Sequence, residues 1–402
     1  MLSGNLSGLK PFLLGSPMSQ NTLVSPPVAT PNTTLPDVQG TQGKPVRFGH
    51  NAGFLVALRE RIDVYFTETG KNRRDLPGMY LKTFVILSWF VGSYLLLVLA
   101  PNVWAAGAGI LSIALATAAI GFSIQHDGGH GAYSDKRWVN SAMAMTLDLL
   151  GGSSYVWKRK HNQIHHSYTN ITGHDDDIDV GIFGRLSPHQ PRFAFHRLQH
   201  VYLWFLYGFL PLKWQLYDDF AFLITKEISG HRCKTPKGKE AVVFWGGKLA
   251  FAIWAFVIPI MVLNHHWALV VGAWFLASFI QGIVISVVFQ LAHVVEDADF
   301  PMPEEVTNRI ENEWAIHQVE TTVDFARTSR LISWYTGGLN YQIEHHLFPQ
   351  ICHLHYPALS QIVEETSKEF GVRYTAHDTL GAAVGSHYRL LKTLGRAEVQ
   401  AV

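Results

Sequence analysis

Residues 83–126 read TFVILSWFVGSYLLLVLAPNVWAAGAGILSIALATAAIGFSIQH, 44 positions between Lys82 and Asp127 without Asp, Glu, Lys or Arg. As one helix this stretch would run roughly 65–70 Å, about twice the hydrocarbon thickness of a bilayer. It therefore reads as two crossings joined by a tight turn, which Pro101-Asn102 supplies. Residues 249–295, between Lys248 and Glu296, repeat the pattern with a turn at Asn264-His265-His266. The four spans expected are 81–100, 103–124, 245–263 and 268–290. The fold class is thus all-α and polytopic, with four transmembrane helices in two hairpins.

Composition agrees. Charged residues make up 16% of the 402-residue chain, against about 25% in soluble domains. Lys+Arg is 32 and Asp+Glu 31, so no net charge argues for nucleic acid. Two cysteines, Cys233 and Cys352, build neither a disulfide framework nor a Cys-rich metal site. Both interhelical turns lack Lys and Arg. The basic residues lie before Lys82, between the hairpins and in the C-terminal third. The positive-inside rule puts those three regions on the cytoplasmic, or equivalent, face.

Residues 1–47 are rich in Pro, Ser, Thr, Asn and Gly and read as a disordered tail, leaving 48–402 as one membrane domain. The tail is Ser-rich and has no acid before Asp37, as in an organelle transit peptide, but carries only Lys10 as a basic residue before Lys44. The segment of roughly 120 residues from 125 to 244 is too long for a bare loop. Its aromatic-rich part, 193–212, reads either as helices lying in the interface or as packed helices of a cytosolic cap.

The 21 histidines are not scattered. HDGGH occupies 126–130, HNQIHH 161–166 and QIEHH 342–346, and His293 ends the last span. Residues four apart share a helix face, so His126 with His130, and His161 with His165, can each point at one metal. Neighbours such as His165-His166 and His345-His346 diverge by about 100° and can serve two metals. Eight imidazoles from four segments exceed what one ion holds, so two metals sharing them is the economical reading. His189, His200, His265 and His266 read as polar interface residues. A polar side chain at the end of a span, such as His293, needs a reason.

A histidine-rich, oxygen-activating metal pair at a membrane face suits attack on an unactivated C–H bond of a lipid chain. Spans rich in Leu, Phe, Trp and Ala can line a slot for that chain. A zinc hydrolase fits less well, because catalytic zinc takes three protein ligands and neither HExxH nor GxSxG is present. Metal transport or sensing would place ligands along a path inside the bilayer; here they gather at one face.

These boxes also resemble the membrane fatty-acyl desaturases, and within them the front-end branch typified by cyanobacterial acyl-lipid delta-6 desaturases. The likeness runs from about Phe48 to about Gly395. It is carried by Arg74-Asp75, by Met79 to Thr83, by His126-Asp127, and by His161 to His166 with Ser167-Tyr168-Thr169-Asn170. Gly173-His174-Asp175, Leu291-Ala292-His293, Thr321-Thr322 and Gly337 to Pro349 complete it. The resemblance implies a cytosolic helical cap holding a di-iron centre above four spans. Its implied ligands are His126, His130, His161, His165, His166, His293, His345 and His346. Gln342 stands where most desaturases have a third-box His, the mark of front-end enzymes, and is a candidate ligand directly or through water. Gln290 is a candidate to orient a bridging water.

The implied reaction places a cis double bond, at delta-6, in an already unsaturated acyl chain of a membrane lipid, with O2 as co-substrate. A lipid-linked or coenzyme A-linked substrate is compatible with these residues. A hydroxylase on the same scaffold is the alternative. No His-Pro-Gly-Gly haem motif of a fused cytochrome b5 occurs, so electrons are expected from an external donor, ferredoxin or free cytochrome b5. Lys158, Arg159 and Lys160 offer either a docking patch for it or a positive cluster at the headgroups. Asp127, Asp175, Glu296 and Glu344 are candidates to orient imidazoles.

Overall fold

The computed structural model describes residues 45–50 and 53–396. Most of the expected tail, 1–44, lies outside them. Its last two residues do not behave as tail: Val46 is buried, and Arg47 bridges Arg309 through Arg47 N–H to Asn308 O (3.0 Å) and Ile310 N–H to Arg47 O (2.8 Å).

Four helices are long and apolar enough to cross a membrane: Pro77–Val98, Val103–His130, Lys239–Val262 and Trp267–His293. Pro77 opens the first at a position where a missing N–H costs nothing. Asn102 starts the second, its side chain accepting from Ala105 N–H at 3.0 Å. His266 caps the fourth in the same way through Ala268 N–H. Both turns, 99–102 and 263–266, line one cavity of about 600 Å³, so the hairpins turn at the same end of the bundle. Phe84, Trp104, Met261 and Leu269 are exposed along the spans, as lipid-facing side chains are.

All four spans exceed the expected limits, the first beginning at Pro77 and the fourth ending at His293. The third begins at Lys239, and the second continues through the first histidine box to His130. Charge gaps mark where charge stops, whereas a helix tolerates a charge or a His in its last turns when the group reaches the interface or a partner.

At the other end, Ala118 and Phe122 of the second span pack on Ile285, Val288 and Leu291 of the fourth and on Phe325 and Leu339. Phe54–Thr69 lies against Tyr356–Phe370, burying Phe54, Leu58, Val363 and Leu359 beneath box three. Two small sheets tie loops together: Glu227–Ile228 runs antiparallel to His231–Arg232, and Asp324–Phe325 parallel to Ala376–His377. The 193–212 segment packs on the rest of the fold along one face only. Leu203 and Tyr207 pack against Leu391 and Val294, while Leu198, Val201 and Phe205 face outward.

Candidate metal centre

The first box is the end of the second span, preceded by a π-helical turn at Ile120–Gln125. The second box sits on another π-helical segment, Lys158–His165. Such turns insert one extra residue per turn and recur at functional sites. The third box lies on Gln342–Leu347, and His293 is the last helical residue of the fourth span. Gly129 lets box one close on box two: a Cβ there would stand 2.2 Å from the Trp157 ring, which stacks on His161 at 4.6 Å. Gly337 has φ +62° and lies so close to Phe122 that a Cβ would meet its carbonyl oxygen at 2.2 Å, which holds the approach to box three against the second span.

All eight histidines and Gln342 are buried and come together. His126, His130, His161 and His345 form one group, each offering a nitrogen within 4.8 Å of the others. His165, His293 and His346 form a second. His166 joins them: its Nε2 lies 3.3 Å from His161 Nε2, and its ring stacks on His346 at 4.3 Å. An i, i+4 reading put His161 and His165 on one metal. Their rings do stack, at 5.1 Å. His161, His165 and Asp177 also come together, each offering a ligand atom within 4.8 Å of the others, and the π-helical winding brings His161 to His166, five residues on.

Several of these nitrogens have no protein partner that satisfies them. His161 Nε2 faces both His126 Nε2 and His166 Nε2 at 3.3 Å, yet it carries one proton at most. His130 Nε2 and His345 Nε2 are buried with no partner. Lone pairs converging from neutral imidazoles suit a first-row transition metal. Their spacing is near what an ion about 2.1 Å from each nitrogen requires. The residues present therefore fit a metal in each group. Gln342 sets one amide atom 2.9 Å from His293 Nε2 and 3.2 Å from His346 Nε2. A flip of the amide presents its oxygen there.

Electrostatics keep most of the rings neutral. Burial, and then repulsion from neighbouring imidazoles, holds His166, His345 and His346 well below the usual range for histidine. Burial lowers His161 despite Asp177. Burial also opposes charge on His165, but Asp175 and Asp177 outweigh it and raise that ring.

Of the acids expected to orient imidazoles, Asp175 does so, lying 3.0 Å from His165 Nδ1. Asp127 instead receives His353 Nδ1–H at 2.9 Å. Glu344 turns to Tyr374 (3.0 Å) and shares a hydrogen bond with Asp324. Glu296 pairs with Arg389 at the surface. Gln290 reaches Asp177 O at 3.2 Å. His200 is buried edge-on to Tyr388. The Lys158–Lys160 patch is not a patch: only Lys158 is exposed, Arg159 lies on the Tyr155 ring, and Lys160 pairs with Asp176 and Asp177.

Sequence reasoning missed Asp177, Gln318, Thr169 and Tyr356. Gln318 Oε1 accepts from His346 Nδ1–H at 2.7 Å, Thr169 O–H donates to the same oxygen, and Tyr356 O–H lies 3.4 Å from His345 Nδ1. Asp177 had a signal in the run Asp175-Asp176-Asp177 beside the second box. Gln318 had none, being 28 residues from its partner. Beside His161 opens a cavity of about 180 Å³, with Trp157, Trp214, Phe222 and Phe289 on its walls.

The family model described as fatty acid desaturase matches residues 101–377. The chain is 42% identical over 351 residues to the sn-1 linoleoyl-lipid 6-desaturase of Arthrospira platensis, spanning 87% of this chain and 94% of that one. It is 38% identical over 353 residues to the sn-1 linoleoyl-lipid 6-desaturase of Synechocystis sp., spanning 88% and 98%. Likeness to the acyl-lipid (8-3)-desaturase of Physcomitrium patens is 38% over 351 residues, 87% of this chain and 73% of that one.

Proposed function

The chain belongs to the fatty acid desaturase family, and on that premise we propose that it is a di-iron, O2-dependent front-end acyl-lipid desaturase acting at delta-6. The observation that carries this is the convergence of eight buried imidazoles into two adjoining groups at one end of the spanning helices. His126, His130, His161 and His345 would hold one iron, and His165, His293 and His346 the other. His166 stands between the groups and Gln342 beside the second. Two irons, when bound, supply the oxygen activation and one-electron chemistry that no side chain offers.

The protein's own part is to hold and to exclude. Asp175 and Asp177 fix His165, Gln318 and Thr169 fix His346, and Tyr356 borders His345. Burial of every imidazole keeps bulk water from the reacting carbons. In the overall reaction two hydrogens leave adjacent methylenes, O2 becomes two waters, and two electrons and two protons enter from outside. The electrons come from a separate donor, ferredoxin or free cytochrome b5. Delta-6 placement rests on the names of the two cyanobacterial relatives and on Gln342 in the third box. The His-bearing end faces the cytoplasm or its equivalent, where the basic residues lie.

Expression in a host supplying linoleate and a reductase system tests this, with double bonds located by mass spectrometry. A delta-6 product, lost in His161→Ala and in His345→Ala, is the expected result. A hydroxylated product would mean an oxygenase on the same scaffold. Absence of any product across donors and lipids, from iron-loaded protein, would sink the enzymatic reading.

A further inference from the structure

Charge in this chain is balanced overall but not locally. Residues 226–239 carry Lys226, Arg232, Lys234, Lys237 and Lys239 against one carboxylate, Glu227. All five cations are exposed, while Ile228, His231 and Cys233 between them are buried. Arg232 lies 3.5 Å from Glu227. The strap is held in place: its hairpin pairs Glu227 with Arg232 and Ile228 with His231. His231 stacks on Tyr168 at 5.5 Å, and Tyr155 O–H donates to Lys234 O at 2.6 Å. The cations therefore stand at a fixed height on the fold.

That height is set by the apolar surface on either side. Lys239 is the first residue of the third span. Upstream, Leu216 is 63%, Tyr217 66% and Ile224 82% exposed; downstream, Val242 is 72% and Leu249 63% exposed. Large apolar side chains bare on both flanks of a basic strap put the strap where hydrocarbon ends and headgroups begin. Four to eight basic residues beside a span at that depth are a recognition pattern for anionic lipid, each cation raising the local preference about five-fold. A soluble acidic partner would meet bare apolar surface on both sides.

The strap also stands at an opening. Glu227, Ile228 and Ser229 line the cavity that reaches Trp157 and His161. Asp176, Asp177, Asp218 and Asp219 line the same cavity, paired there with Lys160, Lys213 and Lys248.

We propose that residues 226–239 are a seat for anionic, phosphate-bearing lipid headgroups beside the cavity that reaches His161. This goes beyond the desaturase reading and does not depend on turnover. The test uses the full chain in vesicles of phosphatidylcholine alone and of phosphatidylcholine mixed with phosphatidylglycerol. Native mass spectrometry then reads the lipids that stay bound. Wild-type protein should retain phosphatidylglycerol several-fold above its share of the vesicle, and added salt should erode that enrichment. A variant combining Lys226→Gln, Arg232→Gln, Lys234→Gln and Lys237→Gln should retain the vesicle ratio while melting like wild type in phosphatidylcholine. Equal retention by wild type and variant would overturn the proposal, and so would a wild-type enrichment indifferent to salt. Wild-type protein without enrichment, together with a variant that responds less to an acidic electron carrier in neutral vesicles, would assign the strap to a protein partner instead. The salt series on wild type stands even where the variant fails to fold.

Discussion

The Nε2 atoms of His161 and His166 stand 3.3 Å apart although five residues separate them. On an α-helix those side chains would point about 140° apart. The π-helical turns of Lys158–His165 close that angle, and His166 thereby serves as the hinge between the two imidazole groups.

Removing that ring should empty at least one position. His166→Ala is expected to lower bound iron from two per chain to one or fewer, whereas His200→Ala, buried elsewhere, should leave iron unchanged. Metal analysis of purified protein decides it. Full iron in His166→Ala would mean that the two groups hold metal independently of their shared ring.

Asp175 lies 3.0 Å from His165 Nδ1 and also accepts Asn170 N–H at 2.8 Å and Asp177 N–H at 3.0 Å. Asp175→Asn loses the charge that aligns the ring and keeps an oxygen for only one of the two backbone donors, which bond different carboxylate oxygens. Partners of this kind are worth about 10–100-fold in metal affinity. Chelator competition should show iron leaving Asp175→Asn at a lower chelator concentration by that factor, with the melting temperature of the metal-free protein lowered only by the one backbone hydrogen bond lost. An unaltered competition curve would reduce the Asp175 carboxylate to a loop brace.

Lys82 sits inside the fold with its ammonium 2.8 Å from His353 Nε2, and His353 Nδ1–H donates to Asp127 at 2.9 Å. The chain of contacts fixes the tautomer: the ammonium can only donate, so Nε2 is bare and the proton is on Nδ1. It also ties the turn that carries His126 to the loop after box three. Lys82→Met leaves Asp127 without its nearest full positive charge, a loss of about 3–5 kcal/mol for a buried network. The double variant Lys82→Met with Asp127→Asn should lose less than the two singles together, a coupling of about 1–3 kcal/mol. Additive losses in melting experiments would show that no charge is shared along the network.

How much of this was legible from residues can be seen at particular positions. The four spans were, because a bilayer punishes unpaired charge and the two long charge-free gaps have no other use. Their ends were not: Lys239 and His130 belong to helices that the charge rule cuts short. The gathering of the boxes was legible from spacing, but the approach of His161 to His166 was not, since a π turn leaves no periodic trace in eight residues. Gln318 and His353 could not be read, because each meets its partner only through the tertiary fold, across 28 and 226 positions. The basic cluster beside box two looked exposed in sequence; the nearby Asp176, Asp177 and Tyr155 draw two of its three cations inward.

Asp148 gives a pH dependence whose sign can be worked out. It is buried beside the third span, where its Cβ would stand 2.5 Å from a Cβ at Gly247, and its carboxylate is met by Ser154, whose N–H lies 3.3 Å from each oxygen. Burial pushes its pKa up to about 6, and nearby Asp219 adds to the shift. An unfolded aspartate titrates near about 3.9. Between about pH 4 and pH 6 the folded state therefore holds more protons than the unfolded state. Stability falls as pH rises through that window and stays lower above it, by about 3 kcal/mol for a shift of about two units. Asp148→Asn keeps an acceptor for Ser154 and carries no charge at any pH. It should melt several degrees above wild type at about pH 8, with the gap narrowing as the pH is lowered to about 5. A gap that does not change with pH would mean that Asp148 stays neutral throughout. A variant less stable than wild type at about pH 8 would mean that the ionised carboxylate is held favourably, by Ser154 or by a group drawn to it.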